Sequence, residues 1–142
     1  MPVGFETPKL VAGGDIRPSR FFKLSGSADK TILEADANER TLGISTDATR
    51  DAPQTGSSAL AAASGEPMAV NMPGVVCKLQ LGSGGATRGN MLKADADGKG
   101  VESATTGTTL QWVGAIALES GSEDELIDVL VVQPMPYRPA IV

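Results

Sequence analysis

Four stretches of this 142-residue chain carry residue types that could do chemistry. Asp95-Ala96-Asp97-Gly98-Lys99-Gly100 opens like a calcium loop, in which side-chain oxygens alternate along a tight turn. Lys99 puts an ammonium where the third oxygen ligand belongs, and the glycine falls two positions early, so the stretch reads as a turn built around Asp-Gly. Asp36-Ala37-Asn38-Glu39 matches the calcium pattern less well still. Gly82-Ser-Gly-Gly-Ala-Thr-Arg-Gly89 has glycine enough to cradle a phosphate. It lacks the Gly-Lys-Ser/Thr ending and the Gly-x-Gly-x-x-Gly spacing, and reads as a flexible connector. Glu119, Glu123, Asp124, Glu125 and Asp128 could gather around a cation, but between strands such a run is a solvated face. Paired carboxylates for glycoside hydrolysis occur in any chain with 17 acids, and nothing singles out one pair.

The chain contains no histidine, which removes the usual general base, the Ser-His-Asp and Cys-His nucleophile systems and most zinc and iron sites. Cys77 is the lone cysteine; it has no partner for an internal disulfide and no histidine to make it a thiolate. It stands in the alternating run Val75–Leu81, where a small buried hydrophobe fits best. The expectation is a protein that is not an enzyme, with no catalytic residues, no cofactor and no metal.

The elements that would position any site are short strands. A net charge of −5 repels phosphate, and the densest basic cluster, Arg17, Arg20 and Lys23, is too small to track a nucleic-acid backbone. The five aromatics (Phe5, Phe21, Phe22, Trp112, Tyr137) are not interleaved with basic residues, so no base-stacking platform is expected, and the core must be aliphatic. Seventeen glycines and nine prolines suit a turn-rich β chain of one domain. Strands are expected at about 19–25, 31–35, 40–46, 67–72, 75–81, 89–94, 100–103, 110–118 and 126–132. The alanine-rich stretch Ser57–Ala63 is the one candidate helix, and residues 49–58 the best candidate for a projecting loop.

The strands repeat. Phe21-Phe22-Lys23, a polar stretch and Leu42-Gly43-Ile44 are echoed by Met91-Leu92-Lys93, a polar stretch and Val113-Gly114-Ala115-Ile116. The Lys-to-Gly spacing is 20 residues in the first and 21 in the second, and a third element follows in each, Met68–Met72 and Leu126–Val132. Chance similarity among turn-rich β segments is the competing reading. The expected fold is all-β: a compact barrel- or sandwich-like domain over residues 18–134, built from two diverged three-strand repeats (about 18–81 and 88–134). An extended N-terminal arm (1–17) and a Pro-rich C-terminal tail (135–142) flank it, with at most one short helix. Val3, Phe5, Leu10, Tyr137 and Ile141 are apolar anchors on those arms, and therefore the candidate assembly interface.

One resemblance spans residues 18–134. It rests on Pro18-Ser-Arg-Phe-Phe-Lys-Leu-Ser-Gly26, Leu42-Gly-Ile-Ser45, Gly65-Glu-Pro67, Met91-Leu-Lys-Ala-Asp-Ala-Asp-Gly98, Ile116-Ala-Leu-Glu119 and Leu126-Ile-Asp-Val-Leu-Val131, in that order. Each motif is weak alone; their order and spacing resemble the small capsid cement (decoration) proteins of tailed bacteriophages. The resemblance implies a β-rich viral structural protein, commonly a homotrimer, on the outer surface of the capsid, clamping neighbouring major capsid protein subunits. It carries no catalytic residues. The expected partners are the major capsid protein and copies of itself, with no nucleic acid and no membrane. Without a basic-then-apolar start or a membrane-length apolar run, the expectation is synthesis in the host cytoplasm and residence in the virion. Another phage structural module, such as a head fibre base or a tail component, is the alternative; a small β-barrel carbohydrate binder is a more distant one, since aromatics for sugar stacking are scarce.

Overall fold

The structure, a computed structural model, describes residues 10–51, 59–105 and 109–137. They form eleven strands: β1 (Leu10–Ala12), β2 (Phe21–Leu24), β3 (Thr31–Glu34), β4 (Gly43–Ser45), β5 (Pro67–Met68), β6 (Val70–Asn71), β7 (Val76–Gln80), β8 (Met91–Ala94), β9 (Gly100–Glu102), β10 (Gln111–Ala117) and β11 (Leu126–Tyr137). Among the described residues there is no helix. Of the helix expected at Ser57–Ala63, the part from Ala59 on is described and is not helical: Ala62 bridges Ile16, and Ala61 and Ala62 are buried. Small side chains are used there to let two backbones approach, and that requirement overrides alanine's helix propensity.

The first sheet runs β5-β1-β3-β2-β4-β6. Its two edge strands, β5 and β6, are separated in the chain by Ala69 alone, so the sheet must curl until its edges meet. The second sheet runs β7-β11-β10-β8-β9 and is drawn together where Leu81 bridges Gly100 in parallel and the Gly82 amide donates to the Gly100 carbonyl at 2.8 Å. Leu10, Ala12, Ile16, Phe22, Ile32, Ala62 and Met68 fill the first barrel. Leu79, Leu81, Leu92, Ala94, Ala115, Ala117, Ile127 and Val129 fill the second, and Phe21, Ala35 and Ile44 reach into that cluster from the first. Successive strand residues face opposite ways, so Phe22 serves its own barrel while Phe21 joins the two.

The two sheets are copies of one unit, matched strand for strand: β1 with β7, β2 with β8, β3 with β9, β4 with β10, and the β5–β6 pair with β11. Phe22 faces Glu34 and Gly43, as Leu92 faces Glu102 and Ala115. Leu10 faces Met68 as Leu79 faces Ile127, and Ser45 faces Val70 as Ala117 faces Val129. The irregular parts repeat as well. The Arg17 amide donates to Glu34 at 2.7 Å and the Thr87 amide to Glu102 at 3.2 Å. The Ala63 amide donates to Glu66 at 2.8 Å and the Ser122 amide to Glu125 at 3.0 Å. Gly65 and Asp124 both take positive φ (88° and 68°), as do Ser19 and Gly89 (54° and 86°). The register aligns Lys23 with Lys93, Glu34 with Glu102 and Glu66 with Glu125, which turn-rich composition alone does not produce.

The copies begin earlier and end sooner than the sequence reading had them: Leu10 to Asn71 match Leu79 to Leu130. β7 therefore opens the second copy rather than closing the first. Gly82–Gly89 is the β7–β8 loop within that copy, pinned where Ala86 and Gly121 exchange backbone hydrogen bonds of 2.9 and 3.0 Å. Gly43 matches Ala115, not Gly114, because Phe22 faces Gly43 and its counterpart Leu92 faces Ala115; the second copy has more residues between Glu102 and Ala115 than the first has between Glu34 and Gly43. Residues 10–17 of the expected arm are part of the first barrel, through β1 and the Ile16–Ala62 bridge. At the other end β11 continues through Pro134 and Pro136 to Tyr137. β7 pairs with β11 only as far as Leu130, so the prolines lie where one flank of the strand is unpaired among the described residues and a missing amide breaks no ladder there.

Candidate functional site

Of the five residues expected to mediate assembly, Val3, Phe5 and Ile141 lie outside the described residues. Leu10 is buried inside the first barrel opposite Met68. Tyr137 ends β11 opposite Gln111, half-buried at the rim of a groove.

The Asp95–Gly98 turn has a structural task. Asp95 Oδ1 accepts the amides of Asp97 and Lys99 at 2.8 and 2.9 Å, which holds the turn closed with Gly98 at φ 75°. The turn docks on the first barrel: the Phe21 amide donates to the Gly98 carbonyl at 2.8 Å, and Arg20 Nη1 donates to the Asp97 carbonyl at 2.8 Å. Arg20 also gives Nε and Nη2 to Gln80 Oε1 at 3.2 and 3.0 Å, while the Gln80 amide donates to the Ser19 carbonyl at 3.0 Å. Burial, then the neighbouring Arg17 charge, lower the Arg20 pKa from the usual guanidinium value, whereas the hydrogen bond to Glu34 raises that of Arg17. Nothing in the sequence marked this joint, because its residues come from four separate loops and strands. The one available signal was that Phe21 and Phe22 are both large and apolar in a strand that alternates.

A cleft of about 470 Å³ opens beside the joint, lined by Arg17, Ser19, Arg20, Asp47, Gln80 and Asp124 among others. Ser19 is held in the left-handed region at φ 54° and its buried Oγ has no hydrogen-bond partner among the described residues. Among the described residues no base touches that hydroxyl, the contact by which a serine nucleophile is activated. The acidic run is spent on local structure: Glu119 accepts the Asp128 amide at 2.9 Å, Lys78 pairs with Asp128 at 3.0 Å, and Lys99 with Asp124 at 2.6 Å. Among the described residues, no three Asp, Glu or Cys side chains come together as metal ligands. Burial, helped by the charges of Asp47 and Asp128, pushes the Cys77 thiol up to about 11, so it stays protonated at neutral pH.

What the arrangement offers is surface. On the outer face of the second barrel, the strand registers place Val76, Leu130, Ile116 and Met91 in one cross-strand row. Val76 is 56% exposed, Leu118 and Leu126 flank the row at 48% and 52%, and the other three are half-buried. A groove of about 510 Å³ runs alongside, lined by Asn90, Met91, Glu102, Ser103 and Tyr137 among others. The matching row of the first barrel, Phe21 and Ile44, is fully buried against the second.

No protein-family model matches the chain, and no curated protein matches it. Among solved structures it is similar to the crystal structure of the head fiber gp8.5 N base in bacteriophage phi29, with a TM-score of 0.62 over 88% of this chain and 92% of that one, at 17% sequence identity. At that identity the likeness is one of fold, and it is to a head fibre base, where the sequence reading pointed to cement proteins.

Proposed function

We propose that this protein is a structural component of a tailed-phage particle, bound as a homotrimer to the outer surface of the head, where it ties neighbouring major capsid protein subunits together without catalysis. The observation that supports this most is the fold shared with a phage head fibre base over nearly the whole of both chains. The broad apolar outer face of the second barrel agrees with it, since exposed apolar rows on a soluble domain mark protein contacts. A second reading is favoured by the same likeness: the chain is the base on which a fibre stands, and capsid attachment anchors the fibre rather than reinforcing the shell. In both readings the protein contacts the head.

The test is sedimentation of labelled protein with purified heads. Saturable binding, at a copy number that is a simple fraction of the major capsid subunits, is the expected result. Protein that stays in the supernatant at saturating concentration, or that follows tails instead of heads, overturns the reading. Particles carrying the protein then separate the two readings, because a fibre base leaves extended density above each attachment point and a cement leaves none.

A further inference from the structure

The contact between the two barrels is one-sided. The first barrel contributes the face around Ser19, Arg20, Phe21 and Ala35, all buried. The second contributes the Asp95–Gly98 turn between β8 and β9, with Gln80 and Gly114. A Cβ on Gly98 would meet the Phe21 and Ala35 carbonyls at 3.1 and 3.5 Å, and one on Gly114 would run into Thr41 and the Phe21 ring. A two-fold contact would use both faces of both copies; this one uses each face once. It is head-to-tail.

One face of each kind is therefore left over. On the second barrel the positions matching Ser19, Arg20, Phe21 and Ala35 are Gly89, Asn90, Met91 and Ser103, and all four are exposed or half-exposed along the groove. On the first barrel the counterpart of the docking turn is the β2–β3 connection, residues 25–30, exposed from Gly26 to Lys30. Beside it Leu24 is 54% exposed and Val11 38%. Leu24 and Val11 occupy the places of Ala94 and Gln80, the first of which is fully buried and the second half-buried at the joint.

We propose that the Met91 groove of one molecule takes the β2–β3 turn of a second copy of this chain, repeating between chains the contact that joins the two barrels within the chain. The occupant is a second copy because the chain itself carries a spare counterpart of the turn that fills the equivalent face of the first barrel. The contact has the head-to-tail sense needed for a closed ring, and three chains would place six similar barrels around it. This names the surface of the self-association proposed above and rests on that reading only for its existence; the geometry comes from the internal duplication.

The test uses two surface variants of the full chain, Met91→Asp and Leu24→Asp, whose masses are measured by light scattering at micromolar concentration beside the unaltered protein. The unaltered protein is expected to be an oligomer, and each variant alone is expected to fall to the 14.5 kDa chain mass. An equimolar mixture of the two is expected to give a 1:1 complex of twice that mass, since Met91→Asp keeps an intact turn face and Leu24→Asp an intact groove. That complementation is specific to a head-to-tail contact and requires that both variants fold, which circular dichroism checks; Ser103→Arg and Ala28→Asp on the same two faces replace either that does not. Variants that keep the full oligomer mass overturn the surface while leaving self-association intact. An unaltered protein that is monomeric throughout overturns both.

Discussion

Phe21→Ala and Met91→Ala change matching positions of the two copies and are expected to differ sharply. Phe21 is fully buried between the barrels, against Gly114 and in one cluster with Ala115 and Ile44. Truncating a buried phenylalanine removes its transfer free energy and leaves a cavity, about 3–5 kcal/mol. Met91 is half-buried on an open face, so truncation forfeits roughly half of a methionine's burial, about 1 kcal/mol, and opens no enclosed cavity. Against a total stability of about 5–15 kcal/mol, the first loss is a large fraction and the second is not. With a urea slope of roughly 2 kcal/mol per molar, the midpoint should fall by about 2 M for Phe21→Ala and by about 0.5 M for Met91→Ala. The single tryptophan reports the joint directly, because Arg40 of the first barrel stands 5.5 Å over the Trp112 ring of the second. Fluorescence-monitored unfolding, extrapolated to low protein concentration so that self-association does not contribute, is the assay. Equal midpoint shifts for the two variants would refute the claim that one face is buried and its counterpart open.

Three further outcomes follow from the side chains. The Glu66 carboxyl is held down to about 2, first by its hydrogen bonds from Arg50 at 2.6 and 2.5 Å and then by the Ala63 amide. Its folded pKa lies below the unfolded value of about 4.3, so its contribution to stability is present above that pH and lost as pH falls toward 2. A carboxyl NMR titration should find that low midpoint, and Glu66→Gln should lose less stability than the unaltered protein over this window. A Glu66 midpoint near 4 contradicts the pairing. Cys77, with its thiol near 11, should react with a thiol reagent at pH 8 roughly two orders of magnitude more slowly than a free peptide cysteine, and labelling at the free rate would show that β7 is not packed as described. Gly85 sits at φ 65° with its Cβ position occupied by the Gly121 carbonyl, whereas Gly84, at φ 87°, faces open space. Gly84→Ala should therefore cost about 1 kcal/mol and Gly85→Ala several times that, measured by thermal melting; similar losses would contradict the paired Ala86–Gly121 loop.

The strand pattern was largely legible because turn residues punctuate it: Asp97-Gly98, Gly13-Gly14 and Gly82–Gly89 all fall between strands, and Leu79 and Leu81 alternate with Lys78 and Gln80 as a half-buried strand requires. β1 was missed because three residues cannot display a period, and its partners β3 and β5 lie about 20 and 56 positions away. The duplication was visible in Lys23 and Lys93, but its frame was not. The sequence comparison rested on Gly43 and Gly114, but the second copy has more residues between Glu102 and Ala115 than the first has between Glu34 and Gly43, which makes those positions non-equivalent. The assembly residues were sought on the termini because apolar side chains near prolines suggest arms. The open face of the second barrel escaped notice because Met91 and Ile116 look like ordinary core residues, and only the pairing shows which way they point.

The central claim is that this protein attaches to a phage head and changes how the shell withstands load. The direct measurement is DNA release against temperature for heads lacking the protein, before and after purified protein is added back, with occupancy counted on the same particles. Shells without it should assemble, because the major capsid protein sets the lattice, but release DNA at a lower temperature. Add-back should restore the higher temperature in proportion to occupancy and then saturate, as many weak contacts repeated over the shell would act together. Identical release curves at full occupancy would contradict a reinforcing role and leave the fibre-base reading, and no occupancy at all would contradict attachment to the head.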